Sequence, residues 1–332
     1  MYYQHEMQDT FDRLINEQAN ALTLSLEQLS RVYTSCNEIA RWFREEPLGG
    51  NCPRIYTQGS IRLQTSITPK WGGGFDADII VELGPSENWR PTPRDAFDLV
   101  GSHLKAMPGF KGQIQWKRRC WALIYDSEYH VDITPAIRDA AKGESAILVF
   151  DALSQSWRSS DPLGYAAWFL RRTSLATEDR SVSSLSDDPL VVDPLAGDDW
   201  LKADRHIRPL ARAIQLLKRR RDLWFDPAVG PNSMVLTTLA ANFYRGEETV
   251  SESLFNLVQR ISEYFSDASQ PRIVVNPIND EEVLSENWLN DGAARCSFIA
   301  FIAETQALLT KAANTDNERE MATRVEQLFR SN

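Results

Sequence analysis

The chain has 332 residues, 42% of them hydrophobic and 25% charged, enough for one large two-lobed domain or two ordinary ones. Its net charge of −10 argues against a protein whose main business is holding long nucleic acid by unspecific attraction. Cys36, Cys52, Cys120 and Cys296 show no C-x-x-C and the four histidines no H-x-x-x-H, which excludes a disulfide framework or a zinc site of the usual spacing.

No early apolar run resembles a signal peptide, and nowhere do about 18 apolar residues stand together. The expected location is the cytoplasm, with no membrane partner. Phe11, Leu14, Ile15, Leu22, Leu26, Leu29 and Tyr33 recur at helical spacing as far as Trp42 and Phe43, and Pro47 stops them; this predicts a long N-terminal helix. Ile55 and Tyr56 read as a short strand entering the turn Gln58-Gly59-Ser60. A breaker-rich linker, Thr68 to Gly74, leads to the strand Phe75 to Leu83.

Pro85 to Pro93 is a loop and Pro93 to Ala106 a helix. Ile114 to Tyr125 is strand-like, Asp126-Ser127-Glu128 turns the chain, and Tyr129 to Thr134 is another strand. Ala146 to Phe150 is a further strand, and Asp161-Pro162 opens an aromatic helix. Ser174 to Asp199 loses periodicity and reads as a crossover loop. From there four helices follow, marked by Leu210 to Trp224, Leu236 to Phe243, Val250 to Phe265 and Phe298 to Leu309, with a short buried extended run at Ile273 to Pro277. The expected division is a core lobe with the N-terminal helix at residues 1–173, a crossover at 174–205 and a helical lobe at 206–332.

The chemistry concentrates on Gly59 to Asp78. Side chains alternate along a strand, so Asp76 and Asp78 point the same way, about 7 Å apart. Two carboxylates on one face are a frame for a pair of divalent cations whose shells are completed by phosphate oxygens. Asp132 shares a face with His130 and Thr134 and becomes a third carboxylate, provided its strand lies beside that of Asp76. Gly59 and Ser60 suit a turn that brings backbone N–H groups to a polyphosphate, or a plain turn with Ser60 as a helix N-cap. Lys218, directly after Leu216-Leu217, stands where its side chain can reach a phosphate across a cleft; a solvated charged face is the plain alternative for Lys218 to Arg221. Lys117-Arg118-Arg119 sits at the head of a strand, as a rim of the cleft. The residues thus read as a metal-dependent nucleotidyltransferase.

Gln58-Gly59-Ser60 through Thr65, Asp76-Ala77-Asp78 and Val131-Asp132 resemble the nucleotidyltransferase superfamily of the DNA polymerase beta type. Trp168-Phe169, Leu217-Lys218-Arg219, Ser233 through Leu239, and Asn276-Pro277 with Glu286-Asn287-Trp288 are similar to the bacterial cyclic-oligonucleotide synthases related to cyclic GMP-AMP synthase and oligoadenylate synthase, the CD-NTases of CBASS antiphage systems. The resemblance implies an α+β, bilobed polymerase beta-like fold, with a mixed-sheet core lobe and a helical-bundle lobe.

By that resemblance, nucleoside triphosphates are joined into a cyclic di- or trinucleotide second messenger for antiphage signalling, with release of pyrophosphate. ATP is the first expected substrate and GTP, CTP or UTP are further ones; the partner is a downstream effector that senses the product. Asp76, Asp78 and Asp132 would bind two Mg²⁺, or Mn²⁺, with Asp132 also placed to help deprotonate the attacking ribose hydroxyl. Gln58, Gly59, Ser60, Lys218 and Ser233 would hold the donor. Met234 stands where the family often has an aromatic that stacks on a base, which leaves base preference open, and Asn332 does not fit a C-terminus that is conjugated. Rival readings are a template-independent enzyme acting on RNA or protein, and a nucleotide sensor without catalysis.

Overall fold

The computed structural model describes residues 2–48, 52–70, 74–84, 91–110, 112–125, 128–176, 207–225, 230–267 and 272–330. The expected crossover at 174–205, apart from a single 3-10 turn at Ser174–Ala176, lies outside them, as do Trp71 to Gly73 of the linker, residues 85–90, the turn at Asp126-Ser127, and Asn332. The described residues fall in two compact units. One runs from Leu24 to Ala167; the other joins the segment up to Thr23 with the residues from Trp168 and from Ile207 onward.

The N-terminal helical stripe is present as two helices, α1 (Tyr2–Leu22) and α2 (Leu26–Glu45). Between them Ser25 caps α2: its hydroxyl accepts from the Gln28 backbone N–H and the Gln28 side chain accepts from the Ser25 N–H, which satisfies two donors that a helix start otherwise leaves bare. The break redirects the apolar stripe. Phe11, Leu14, Ile15, Ala19 and Leu22 of α1 are buried in the helical unit, while Leu29, Val32, Cys36, Ile39 and Phe43 of α2 are buried under the sheet. The core lobe expected at residues 1–173 therefore loses its first 23 residues, and the last turns of its final helix, to the other unit.

In the unit of residues 24–167 the strands are β1 (Arg54–Gln58), β2 (Phe75–Leu83), β3 (Gln113–Trp116), β4 (Trp121–Tyr125), β5 (Tyr129–Arg138), β6 (Ile147–Asp151) and β7 (Ser156–Ser160). They form one mixed sheet in the order β1-β2-β5-β4-β3, with β6 paired to β5 and β7 paired to β6; only β2 and β5 are parallel neighbours. The single strand expected over Ile114 to Tyr125 is a hairpin, β3 with β4 antiparallel, and Lys117 to Cys120 is its turn. Lys117-Arg118-Arg119 is thus in a turn, not at the head of a strand.

β5 runs on through Pro135, past the expected end at Thr134. A proline has no N–H to give a ladder. Here β5 is changing neighbours on that edge: it pairs with β4 up to Ile133 and with β6 from Ala136, so no hydrogen bond there is lost.

One sheet face is largely apolar. Phe75, Ala77, Ile79, Val81, Leu123, Val131 and Ile133 pack there against α2 and α4 (Pro93–Lys105). Two polar ties fix the layers: the Ser35 and Tyr129 hydroxyls lie 2.8 Å apart, and Trp121 Nε1 donates to the Phe97 carbonyl at 2.9 Å. Gly101 lets α4 approach the Trp121 ring; a Cβ there would stand 2.1 Å from a ring carbon.

The second unit is helical: α1, the end of α5 (Pro162–Thr173), α6 (Pro209–Trp224), α7 (Ser233–Phe243), α8 (Val250–Ser266), the short α9 (Asn287–Asn290), α10 (Gly292–Ala313) and α11 (Glu318–Phe329). α6, α7, α8 and α10 follow the four expected stripes, whereas α9 and α11 are helices that the sequence pattern does not predict. Ile273 to Pro277 is extended, with an isolated bridge from Val275 to Val283, and Val274 is buried while Ile273 is exposed. Among the described residues no helix is long and apolar enough to cross a membrane.

Candidate active site

The other sheet face is divided along its length. Tyr56, Ile80, Ala136, Ile147 and Val149 make a small apolar cluster at one end, and the acids stand at the other. The parallel register sets Asp76 opposite His130 and Asp78 opposite Asp132, while the antiparallel register sets Gln58 opposite Asp78. Directly paired residues project from the same face. Gln58, Asp76, Asp78, His130 and Asp132 therefore share one face at the ends of three adjacent strands, which is the condition the third carboxylate had to meet.

Gly59 and Ser60 continue from β1 into a one-turn helix, α3 (Gly59–Arg62). Gly59 has φ +63°, a left-handed conformation, and a Cβ there would come 2.4 Å from Asp78 Oδ2. The backbone closes through Leu63 N–H to the Gly59 carbonyl at 3.1 Å and Thr65 N–H to the Ser60 carbonyl at 2.9 Å. Ser60 is not an N-cap. Its hydroxyl instead accepts from the Ser66 hydroxyl at 2.8 Å.

A lysine and a histidine already sit among the acids. The Lys117 ammonium reaches back from the hairpin turn to both oxygens of Asp132, at 2.9 Å each, and lies 2.9 Å from His130 Nε2. Burial works against its charge, but the hydrogen bond and negative charge of Asp132 outweigh it and raise the Lys117 pKa. His130 Nε2 is 2.5 Å from Asp76 Oδ1 and 3.7 Å from Asp132 Oδ1. One ring nitrogen cannot donate to Asp76 and accept from Lys117 at once. The hydrogen bond to Asp76 raises the His130 pKa, with burial and Lys117 opposing it, and the shorter of the two contacts places the Nε2–H on Asp76.

The Cys120 thiol, at the end of the same turn, is buried beside Asp132, and that burial together with the nearby negative charge pushes its pKa up. Sequence reasoning gave Lys117 only a place on the rim and His130 no role. The signal for Lys117 was hidden because Lys-Arg-Arg-Cys carries none of the residues that mark turns.

Three carboxylates without nitrogen or sulfur donors are a set that suits hard divalent cations such as Mg²⁺. Asp132 already accepts a cation on both oxygens, and Gly59 leaves Asp78 the room a side chain would take; the residues fit such ions. Among the described residues no three His, Cys, Asp or Glu side chains form a group that could hold a metal ion as they stand.

Lys218 and Ser233 belong to the helical unit. Lys218 is buried in α6 between Leu217 and Arg219, and Arg219 and Arg220 are buried too. The solvated-face reading of this run does not hold for these three. Burial lowers the Arg219 and Arg220 pKa values, and Arg220 pairs with Glu304 of α10 at 2.5 Å. Ser233 is the first residue of α7, whose N-cap Asn232 accepts from the Met234 N–H at 3.0 Å. Their part in holding a triphosphate is carried by the resemblance alone.

The profile of the Second Messenger Oligonucleotide or Dinucleotide Synthetase domain matches residues 6–172, half of the chain. The chain belongs to this synthetase family. Over 304 residues it is 28% identical to the c-di-GMP synthase of Roseivirga ehrenbergii, covering 90% of this chain and 77% of that one. Its fold matches the Bradyrhizobium diazoefficiens CD-NTase CdnG solved in complex with GTP, with a TM-score of 0.73 at 19% identity over 97% and 99% of the two chains. It also matches the Vibrio cholerae DncV cyclic AMP-GMP synthase solved with a linear intermediate, with a TM-score of 0.60 at 16% identity over 99% and 87%. These likenesses establish the α+β nucleotidyltransferase fold.

Proposed function

We propose that this synthetase joins two nucleoside triphosphates, GTP foremost, into a cyclic dinucleotide, with one pyrophosphate released for each phosphodiester bond formed. The observation that carries the reading is the register of β2 and β5, which sets Asp78 directly opposite Asp132 with Asp76 two residues away on the same face. GTP is preferred to ATP because the relative that is 28% identical is a c-di-GMP synthase; ATP, the first expectation from the sequence, is the competing substrate. The product is a second messenger read by a downstream effector in antiphage signalling.

Divalent cations held by Asp76, Asp78 and Asp132 would neutralise the triphosphate and acidify the attacking ribose hydroxyl. Asp132, whose side chain is 13% exposed against 59% for Asp76, would take that hydroxyl proton. The turn from Gln58 to Thr65 sets Gly59 against Asp78, and its Ser60 hydroxyl and backbone would orient the donor's phosphates. The resemblance also gives Lys218 and Ser233 a part in binding the triphosphate. Little covalent work falls to the protein in such transfers, so positioning and charge dominate.

The test is incubation with four nucleotides, GTP labelled at the α-phosphate, in Mg²⁺ or Mn²⁺, followed by phosphatase and mass spectrometry. A phosphatase-resistant product with the mass of a cyclic dinucleotide of two guanosines is expected. A product containing adenine would keep the chemistry and change the base. Label on RNA or protein, or no resistant product under either metal, would overturn the reading.

A further inference from the structure

We propose that Lys117 is a built-in counter-cation of the active site, which holds Asp132 when no divalent cation is bound and must be displaced from it as one binds. The inference rests on the reading of Asp76, Asp78 and Asp132 as a cation site, and adds a residue that weakens that site rather than completing it.

The geometry is that of a seated ion. The Lys117 ammonium lies 2.9 Å from both oxygens of Asp132, so it covers the two-oxygen edge that a divalent cation approaching Asp132 would need. Of the groups around it, Asp132 and Asp76 are acidic, and His130 Nε2 lies at 2.9 Å. The side chain of Lys117 is 42% exposed and that of Asp132 13%, so the lysine has more room than the carboxylate to swing out into water.

Lys117 is delivered to this place by a turn tied down on both sides. Its own N–H donates to the Cys120 carbonyl at 2.8 Å, and Ala152 N–H donates to the Arg118 carbonyl at 2.9 Å. The next two side chains, Arg118 and Arg119, both bind the fully buried Asp151, at 2.7 and 3.0 Å. Asp151 also accepts from the Leu153 and Ser154 N–H groups. A lysine on a loose loop would drift away from one carboxylate; a lysine on this turn returns to it. Like charges a few ångströms apart repel even with solvent between them, so the resident ammonium raises the divalent-cation concentration needed to fill the site.

The test is Mn²⁺ binding to the full chain, stripped of metal and free of nucleotide, followed by the electron paramagnetic resonance signal of free Mn²⁺. Lys117→Met keeps the length of the side chain and removes its charge; it is expected to bind Mn²⁺ about tenfold more tightly than the unmodified chain. Lys117→Arg, which keeps the charge, is expected to bind as the unmodified chain does, and Asp132→Asn to lose the binding. Melting in chelator should fall for Lys117→Met, with a larger rise on adding Mn²⁺. Lys117→Gln replaces Lys117→Met if the latter does not fold.

Equal or weaker Mn²⁺ binding by the neutral variant, or tightening by Lys117→Arg as well, would overturn the proposal. The outcome does not depend on which product is made. A chain that makes the cyclic dinucleotide yet binds Mn²⁺ equally with and without Lys117 would leave the reaction standing and remove this role. A chain that shows the expected order of affinities but makes no cyclic product would do the reverse.

Discussion

Gly59 and Asp78 are packed so closely that the hydrogen of the glycine is all that fits between them: a Cβ would stand 2.4 Å from Asp78 Oδ2 and 3.1 Å from its carboxyl carbon. The glycine also holds φ at +63°. Gly59→Ala therefore meets two penalties, about 1–2 kcal/mol for the left-handed backbone and a push on the Asp78 carboxylate. The expected outcome is a folded protein with kcat lowered by roughly a hundredfold, because sub-ångström displacement of a catalytic group is costly. Activity within a few-fold of the unmodified chain would show that Asp78 can move aside without loss.

Asp76→Asn should lower turnover by about a thousandfold or more, since an amide cannot neutralise a cation or the charge that develops on phosphate. The same change has a readout outside catalysis. The His130 pKa is raised by its hydrogen bond to Asp76, so removing the carboxylate should bring it down toward the ordinary imidazole value, seen by following the ring proton shifts of His130 against pH. An unchanged His130 titration would separate the two residues.

Asp76 and Asp78 were legible because strand alternation puts residues two apart on one face whatever the strand's neighbours are. Asp132 was legible only conditionally. No local pattern says which strand lies beside β2, or that the parallel register brings Asp132 level with Asp78 and not with Ala77. Lys117 escaped for a related reason: its function depends on a hairpin turn without glycine, proline or asparagine, and on Asp151, 34 positions away in sequence. The N-terminal stripe was legible as helix, but its division between the two units hangs on the cap at Ser25, a local polar signal set inside an otherwise continuous apolar pattern.

Lys218→Ala tests the part of the proposed site that rests on resemblance. Lys218 is 5% exposed in α6. If its ammonium binds the donor triphosphate in ground and transition state alike, the substitution raises KM with kcat little changed. Initial rates over a range of GTP concentrations decide this. A fall in kcat at unchanged KM would place Lys218 on the charge that develops during transfer instead.

Asp151 should be the residue whose loss shows most clearly in stability against pH. Its carboxylate is fully buried, and although burial alone would raise its pKa, the hydrogen bonds from Arg118, Arg119 and the Ser154 and Leu153 N–H groups hold it well below the ordinary range. A group with a depressed folded-state pKa contributes stability above its unfolded pKa, near 4 for Asp, and loses it as the pH falls toward the folded value. The difference in unfolding free energy between the unmodified chain and Asp151→Asn is therefore expected to be about 3 kcal/mol and level from neutral pH down to about pH 4. Below that it shrinks, because the unfolded chain takes up a proton that folded Asp151 refuses. Denaturant unfolding at a series of pH values measures the difference. Growth of the difference on acidification would mean that Asp151 is folded in its protonated form, and its hold on Arg118 and Arg119 would not be ionic.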